Sequence, residues 1–165
     1  MAKQLAYLGP AGTFTEAAAV RYDPEARLLP FSSIAAVAAA VDSGMAEEGV
    51  VPIENSLEGS VTDTLDLLIH DSNLSIRHEM VNAIEHCLLV KAGVSAQEVS
   101  VVYSHPQALG QCRRFVEKCF PKAHAIAALS TAAAVEDMLQ SESPAAAIAT
   151  RRAAELYGAE ILAHG

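Results

Sequence analysis

Two stretches of this chain concentrate side chains suited to holding a small carboxylate. Glu54, Asn55, Ser56 and Glu58 follow an apolar run ending at Ile53, with Gly59 to turn the chain. Ser104, His105, Gln107 and Gln111 follow a second apolar run, Val99 to Tyr103. Amides and hydroxyls in this density are hydrogen-bond donors for carboxylate oxygens. Both stretches also open helices: Ser60 with Asp63 and Ser104 with Gln107 have capping-box spacing, as has Thr13 with Glu16. Ser130 and Thr131 start a further helix. Helix N-termini present unsatisfied N–H groups and the positive end of the dipole, so several at one sheet edge suit an anion. Every helix needs a cap, however, so a single capping residue is structural. What exceeds that reading is the extra polar density at the two junctions.

Other chemistries are poorly served. Gly9-x-x-Gly12 lacks the Lys-Ser/Thr ending of a phosphate-binding loop, and no G-x-G-x-x-G occurs. Ser104 and His105 are sequence neighbours at a helix start, so they diverge and make a poor nucleophile–base pair. Cys112, Cys119 and His124 lack zinc-ligand spacing, and no metal site is expected. His70, His78 and His86 are scattered structural histidines, and Arg113-Arg114 is a solvated helix face. With 165 residues, a formal charge of −9 and 5% aromatic residues, the chain has neither the basic surface nor the stacking platform of a nucleic-acid binder. No run reaches the length of a membrane span, and residues after Met1 lead into a strand without a signal-peptide core. Three cysteines, an odd number, fit reduced thiols and a cytoplasmic location.

The elements that must position these groups alternate strand and helix, which predicts an α/β fold with parallel sheets. Strands are expected at Gln4 to Leu8, Ala26 to Phe31 and Gly49 to Ile53. Helices are expected from Thr13 to Tyr22, after Ser32 or Ser33 to Gly44, and after Ser60 with Val61, Leu65, Leu68 and Ile69 on one face. Leu74 to Val81 and Ile84 to Lys91 read as consecutive strands, which places a crossover between lobes near Ser75 to Glu85. Beyond it come a turn at Ser95 to Glu98, a strand to Tyr103, and a helix from Ser104 past Cys119. A strand His124 to Leu129, a helix through Leu139, a strand Ala145 to Ala149 and a helix Arg151 to Tyr157 closed by Gly158 complete the pattern. Glu160 to Leu162 begins a last element. The expected organisation is two α/β lobes with a ligand cleft: residues 1–77, residues 78–155, and residues 156–165 as a truncated return segment towards the first lobe.

The motifs YLGPAGTFTEAA, VPIENSLEGSVTDTLDLL, YSHPQALGQC and AAIATRRAAELYGAEIL, with the Glu79 to Leu88 segment, run in order along the whole chain. Together they resemble prephenate dehydratase. The resemblance implies a type II periplasmic-binding-protein arrangement. The activity it implies is decarboxylation of prephenate, with loss of the ring hydroxyl as water, to phenylpyruvate on the route to phenylalanine. It implies no cofactor and a homo-oligomer, a dimer or tetramer. By the same resemblance Asn55, Ser104, Gln107 and Gln111 are the catalytic candidates. Thr13, Glu54, Ser56, Gly59, Ser130 and Thr131 contribute to substrate binding, with Glu54 bracing the Asn55 turn.

The family pattern continues past Tyr157-Gly158 into a Thr-Arg-Phe motif, whose threonine is held central to catalysis, and then into a phenylalanine-binding ACT domain. Neither occurs between Met1 and Gly165. The expectation is therefore a dehydratase catalytic domain that ends short of its catalytic threonine and is impaired as it stands. The alternatives are arogenate dehydratase, whose substrate differs by an amino group, and a two-lobed binding module without turnover.

Overall fold

A computed structural model describes residues 2–57 and 59–165. The chain divides into two compact units: the chain up to Pro10 with Phe14–Ala83, and Ala11–Thr13 with Ile84–Gly165.

The first unit contains β1 (Gln4–Leu8), α1 (Phe14–Tyr22), β2 (Arg27–Phe31), α2 (Ile34–Asp42), β3 (Glu48–Val50), a two-residue hairpin of β4 (Glu54–Asn55) and β5 (Gly59–Ser60), and α3 (Thr62–Asp66). Its main sheet runs β2-β1-β3, all parallel. The central strand β1 is apolar on both faces because a helix covers each. Leu5 and Tyr7 pack with Ala19 of α1, while Ala6 packs with Val37 and Ala40 of α2. Full burial of a residue such as Leu5 contributes about 2 kcal/mol. Ser33 caps α2 through Ala36 N–H at 3.1 Å, and Gly44 follows the helix with φ 74°, both as expected.

An ionic knot closes the amino edge of this sheet. Lys3 Nζ lies 2.5 Å from Glu48 Oε2, which also accepts the Tyr22 hydroxyl at 2.7 Å. Tyr22 stacks tilted against His78, and Arg21 donates to Val81 O and Asn82 Oδ1. These contacts hold residues 77–82 to the end of α1.

The second unit contains β6 (Cys87–Val90), a 3-10 turn (Ala96–Glu98), β7 (Val101–Ser104), α4 (Pro106–Gln111), α5 (Arg113–Cys119), β8 (His124–Ala127), α6 (Thr131–Gln140), β9 (Ala145–Ala149), α7 (Arg151–Tyr157) and β10 (Glu160–His164). The sheet order is β10-β6-β9-β7-β8. Strand β9 is wholly buried and nearly all alanine. Its small side chains let helices approach both faces. Ala147 packs with Val135 and Met138 of α6, and Ile148 with Val116 and Phe120 around α5.

Several expectations are corrected. The second sheet is mixed, because β6 runs antiparallel to both β9 and β10. Residues 72–86 form no strand, so Leu74 to Val81 is not one and the second run shortens to Cys87–Val90. Ile76 and Val81 are exposed, with no strand beside them to complete a ladder. The helix after Ser60 is short and passes into a π-helical turn, Leu67–Asp71, which leaves Ile69 exposed. The helix after Ser104 breaks at Cys112 into α4 and α5. Residues 156–165, expected to head for the first lobe, finish α7 and form β10 on the edge of the second unit's own sheet.

Candidate functional site

In the second unit β7, β8 and β9 are mutually parallel, so their carboxyl ends share one edge of the sheet. Ligand sites in such sheets lie at this edge, where strands hand over to helix N-termini. Ser104 ends β7, Ser130 and Thr131 follow β8, and Thr150 and Arg151 follow β9. Ser130 Oγ accepts from Ala133 N–H at 2.9 Å and caps α6, as its sequence context predicts. Thr150 does the same for α7 through Ala153 N–H at 2.9 Å. The tripeptide Ala11–Thr13 belongs to this unit too, because the Thr150 hydroxyl donates to Gly12 O at 2.7 Å. Thr13, Ser130, Thr131 and the Ser104–Gln111 segment are thereby brought to one edge.

Two residues there act differently from the expected capping box. Ser104 does not cap α4. It is still strand, fully buried, and its hydroxyl donates to Ile148 O at 2.6 Å. The next extended residue, His105, takes the cap, its Nδ1 accepting from Gln107 N–H at 3.3 Å. Gln107 is half-buried in the first turn of α4. Gln111 is exposed, and its side-chain amide lies 2.7 Å from His86 Nε2, a hydrogen bond between the two side chains. The sequence marks His86 only as a structural histidine and does not single out Thr150. A hydroxyl directly after an apolar run and three residues before a helical N–H was the available signal for Thr150.

In the first unit the Glu54–Ser60 hairpin carries the other candidates. Glu54 pairs with Ser60 and Asn55 with Gly59, so Ser60 is a strand residue and not a helix cap. The cap position of α3 falls instead on Val61, with no side-chain cap; Val61 N–H donates to Ile53 O and the buried Thr64 hydroxyl donates to Pro52 O at 2.6 Å. Asn55 Oδ1 accepts from Leu57 N–H at 2.9 Å, an Asx turn that fixes the side chain and leaves its amide NH2 as a donor. Ser56 is exposed at the turn, and Glu58 lies outside the described residues.

The electrostatics favour neutral donors. Burial pushes the Cys87 and Cys112 thiols above their ordinary value, which keeps them protonated and poor nucleophiles at neutral pH. Arg151 brings a cation to the end of β9, 4.0 Å from Glu85, which also pairs with His164 at 2.9 Å. Among the described residues no group of three or more His, Cys, Asp or Glu side chains is placed to hold a metal ion. No helix of the described residues is long and apolar enough to cross a membrane.

A family model described as prephenate dehydratase matches residues 5–165. The chain is 40% identical over 163 residues to arogenate dehydratase 5, chloroplastic, of Arabidopsis thaliana, covering 98% of this chain and 38% of that protein. The solved structure of prephenate dehydratase in complex with L-Phe from Arthrobacter aurescens matches with TM-score 0.90 and 33% identity, over 98% of this chain and 55% of that one. A structure described as GqqA, a novel type of quorum quenching acylase, matches with TM-score 0.88 and 31% identity, over 98% of this chain and 59% of that one. The chain spans 38% of the length of the Arabidopsis relative and 57% of that of the Lactococcus lactis prephenate dehydratase, to which it is 37% identical.

Proposed function

Because the chain belongs to the prephenate dehydratase family, we propose that it carries the substrate-holding part of an enzyme that converts prephenate to phenylpyruvate. The observation that supports this most directly is the joint placement of Thr13, Ser104, Gln107, Ser130 and Thr131 at the carboxyl edge of β7, β8 and β9. Prephenate is a dicarboxylate. Its ring carboxylate leaves as CO2, the electron pair of that bond enters the ring, and the ring hydroxyl departs as water on receiving one proton. Aromatisation drives the step, so the protein's task is to hold both carboxylates and supply a proton to the leaving oxygen.

In this reading the hydroxyls of Thr13, Ser130 and Thr131, with nearby helix-end N–H groups, receive a carboxylate. Gln107 and Gln111 orient the ring and its hydroxyl. Asn55 offers its amide NH2, with Ser56 and Gly59 beside it and Glu54 bracing the hairpin. Ser104, whose hydroxyl is engaged by Ile148 O, acts by holding the end of β7. The proton donor expected for the family is the threonine of Thr-Arg-Phe, which does not occur in this sequence. The protein is read as cytoplasmic, in keeping with its unpaired cysteines, and, by its family, as a homo-oligomer.

The test is a turnover assay that follows phenylpyruvate by its absorbance in alkali. It compares this chain with a version extended through the Thr-Arg-Phe segment of a relative. Weak turnover here and strong turnover in the extended chain are expected. Equal, negligible turnover in both, with prephenate bound tightly in calorimetry, would convert the reading to a binding module. A second reading is arogenate as substrate, since a relative at 40% identity is named arogenate dehydratase while others at 40% to 42% are named prephenate dehydratases; the same assay with arogenate decides between them.

A further inference from the structure

The Thr150 hydroxyl has two partners, and only one of them belongs to its own helix. It accepts from Ala153 N–H at 2.9 Å, which is an ordinary cap, and it donates to Gly12 O at 2.7 Å, a residue 138 positions away. Thr150 is 3% exposed, so neither bond is exchanged with water at little cost. A capping role needs an acceptor only; the donated bond is additional.

Gly12 is seated by more than this bond. Its φ of 85° is a conformation that side chains other than glycine rarely adopt, and a Cβ there would meet Ala153 Cβ at 3.2 Å and Ala132 Cβ at 3.4 Å. The tripeptide therefore rests against the first turns of both α6 and α7. Ala132 directly follows Thr131, and Ala153 is the residue whose N–H Thr150 caps. Three chain-remote segments, 11–13, 130–132 and 150–153, are thus locked at the same sheet edge, with Thr150 as the group that bonds two of them.

We propose that Thr150 is a positioning residue for the substrate site: its donated hydrogen bond to Gly12 O fixes Thr13 against Ser130 and Thr131. This rests on the reading of that edge as the carboxylate-receiving site. Thr150 itself need not touch substrate. Its contribution is that a hydroxyl carried by residue 13 arrives in a fixed place, so the ordering cost is met during folding instead of during binding.

The test uses the full chain with Thr150→Ser, Thr150→Val and Gly12→Ala. Ser33→Ala, which removes the cap of α2 in the other unit, controls for loss of a helix cap as such. Prephenate affinity is measured by calorimetry under conditions where circular dichroism shows each variant folded. Amide hydrogen exchange is followed over residues 11–15. Thr150→Val is expected to weaken binding roughly three- to tenfold, as one lost hydrogen bond would, and to speed exchange at residues 11–15. Thr150→Ser is expected to restore both. Gly12→Ala, with the cap of α7 intact, should weaken binding and speed exchange like the valine variant, and Ser33→Ala should change neither.

Unchanged affinity and unchanged exchange in folded Thr150→Val would overturn the proposal, as would failure of Thr150→Ser to restore them. If the parent chain binds no prephenate, the reading of the site fails and the exchange data alone decide whether Thr150 holds the tripeptide. Slow exchange at residues 11–15 in Thr150→Val would then overturn the proposal too.

Discussion

The hydroxyl of Ser104 donates to the carbonyl of Ile148 at 2.6 Å, tying the ends of the parallel neighbours β7 and β9 inside the sheet. This bond makes Ser104 part of the scaffold on which Gln107 stands. Ser104→Ala should therefore lower unfolding free energy by about 1–2 kcal/mol, the cost of losing a buried hydrogen bond. Urea titration followed by circular dichroism measures it. An unchanged midpoint would contradict the scaffold role.

Asn55 makes a turn with one atom of its side chain, and the ligand-holding role proposed for it falls to another. Its Oδ1 serves the Asx turn to Leu57 N–H. Asn55→Asp keeps that acceptor and loses the amide NH2, so stability should hold while prephenate affinity drops at least roughly tenfold, the further loss reflecting a new negative charge facing a dianion. Asn55→Ala should lose affinity and also destabilise the hairpin. Calorimetry and thermal unfolding on the pair check both halves. Equal affinity in Asn55→Asp and the parent would remove Asn55 from the site.

The knot at the amino edge predicts a pH dependence. The hydrogen bond from Lys3, then that from Tyr22, holds the Glu48 carboxyl below its ordinary value of 4.5. Its stabilisation is therefore present above that unfolded value and is lost as pH falls through the lower folded value. Lys3 is raised above 10.5, chiefly by the same bond to Glu48, so its contribution is present below that value and is lost as pH rises through the raised one. Glu48→Gln should flatten the acid limb of a plot of unfolding midpoint against pH below 4.5. An acid limb identical in the variant and the parent would show that other carboxylates set it.

Gly49 reports on packing in the first unit. A Cβ at this position would lie 2.8 Å from Val37 Cγ1, and Val37 is buried in α2. Gly49→Ala should destabilise by about 1–3 kcal/mol through overpacking, and Gly49→Ala with Val37→Ala should recover part of the loss. Equilibrium unfolding of the parent, the Gly49→Ala and Val37→Ala single variants and the double variant measures the coupling.

What could be read from sequence follows how far each determinant reaches along the chain. Ser33, Ser130 and Gly158 act on atoms within a few residues, and their caps and αL terminus were legible. Ser60 and Ser104 had the same local spacing, but a cross-strand partner claimed each first: Glu54 opposite Ser60, and Ile148 O opposite the Ser104 hydroxyl. Alternation from Leu74 to Val81 has the strand period, yet period alone does not supply a neighbouring strand. The direction of β6 in its sheet depends on the path of the chain between units, which no local pattern encodes. In the candidate site, residue types at the two polar junctions were informative. The donated bond of Thr150 to Gly12 was not, because its partner lies 138 positions away.

The placement of Ala11–Thr13 has a practical consequence for anyone dissecting this protein. Neither unit is one uninterrupted piece of chain: the second borrows three residues from within the first. A gene fragment starting at Ile84 would encode all of the second unit's strands yet omit the peptide on which the Thr150 hydroxyl closes. Such a fragment would leave the Thr150 hydroxyl without its Gly12 acceptor and the first turns of α6 and α7 without the peptide that rests on them. A minimal second unit must be built as a circular or fused design, with residues 11–13 reattached where Gly12 can reach Thr150.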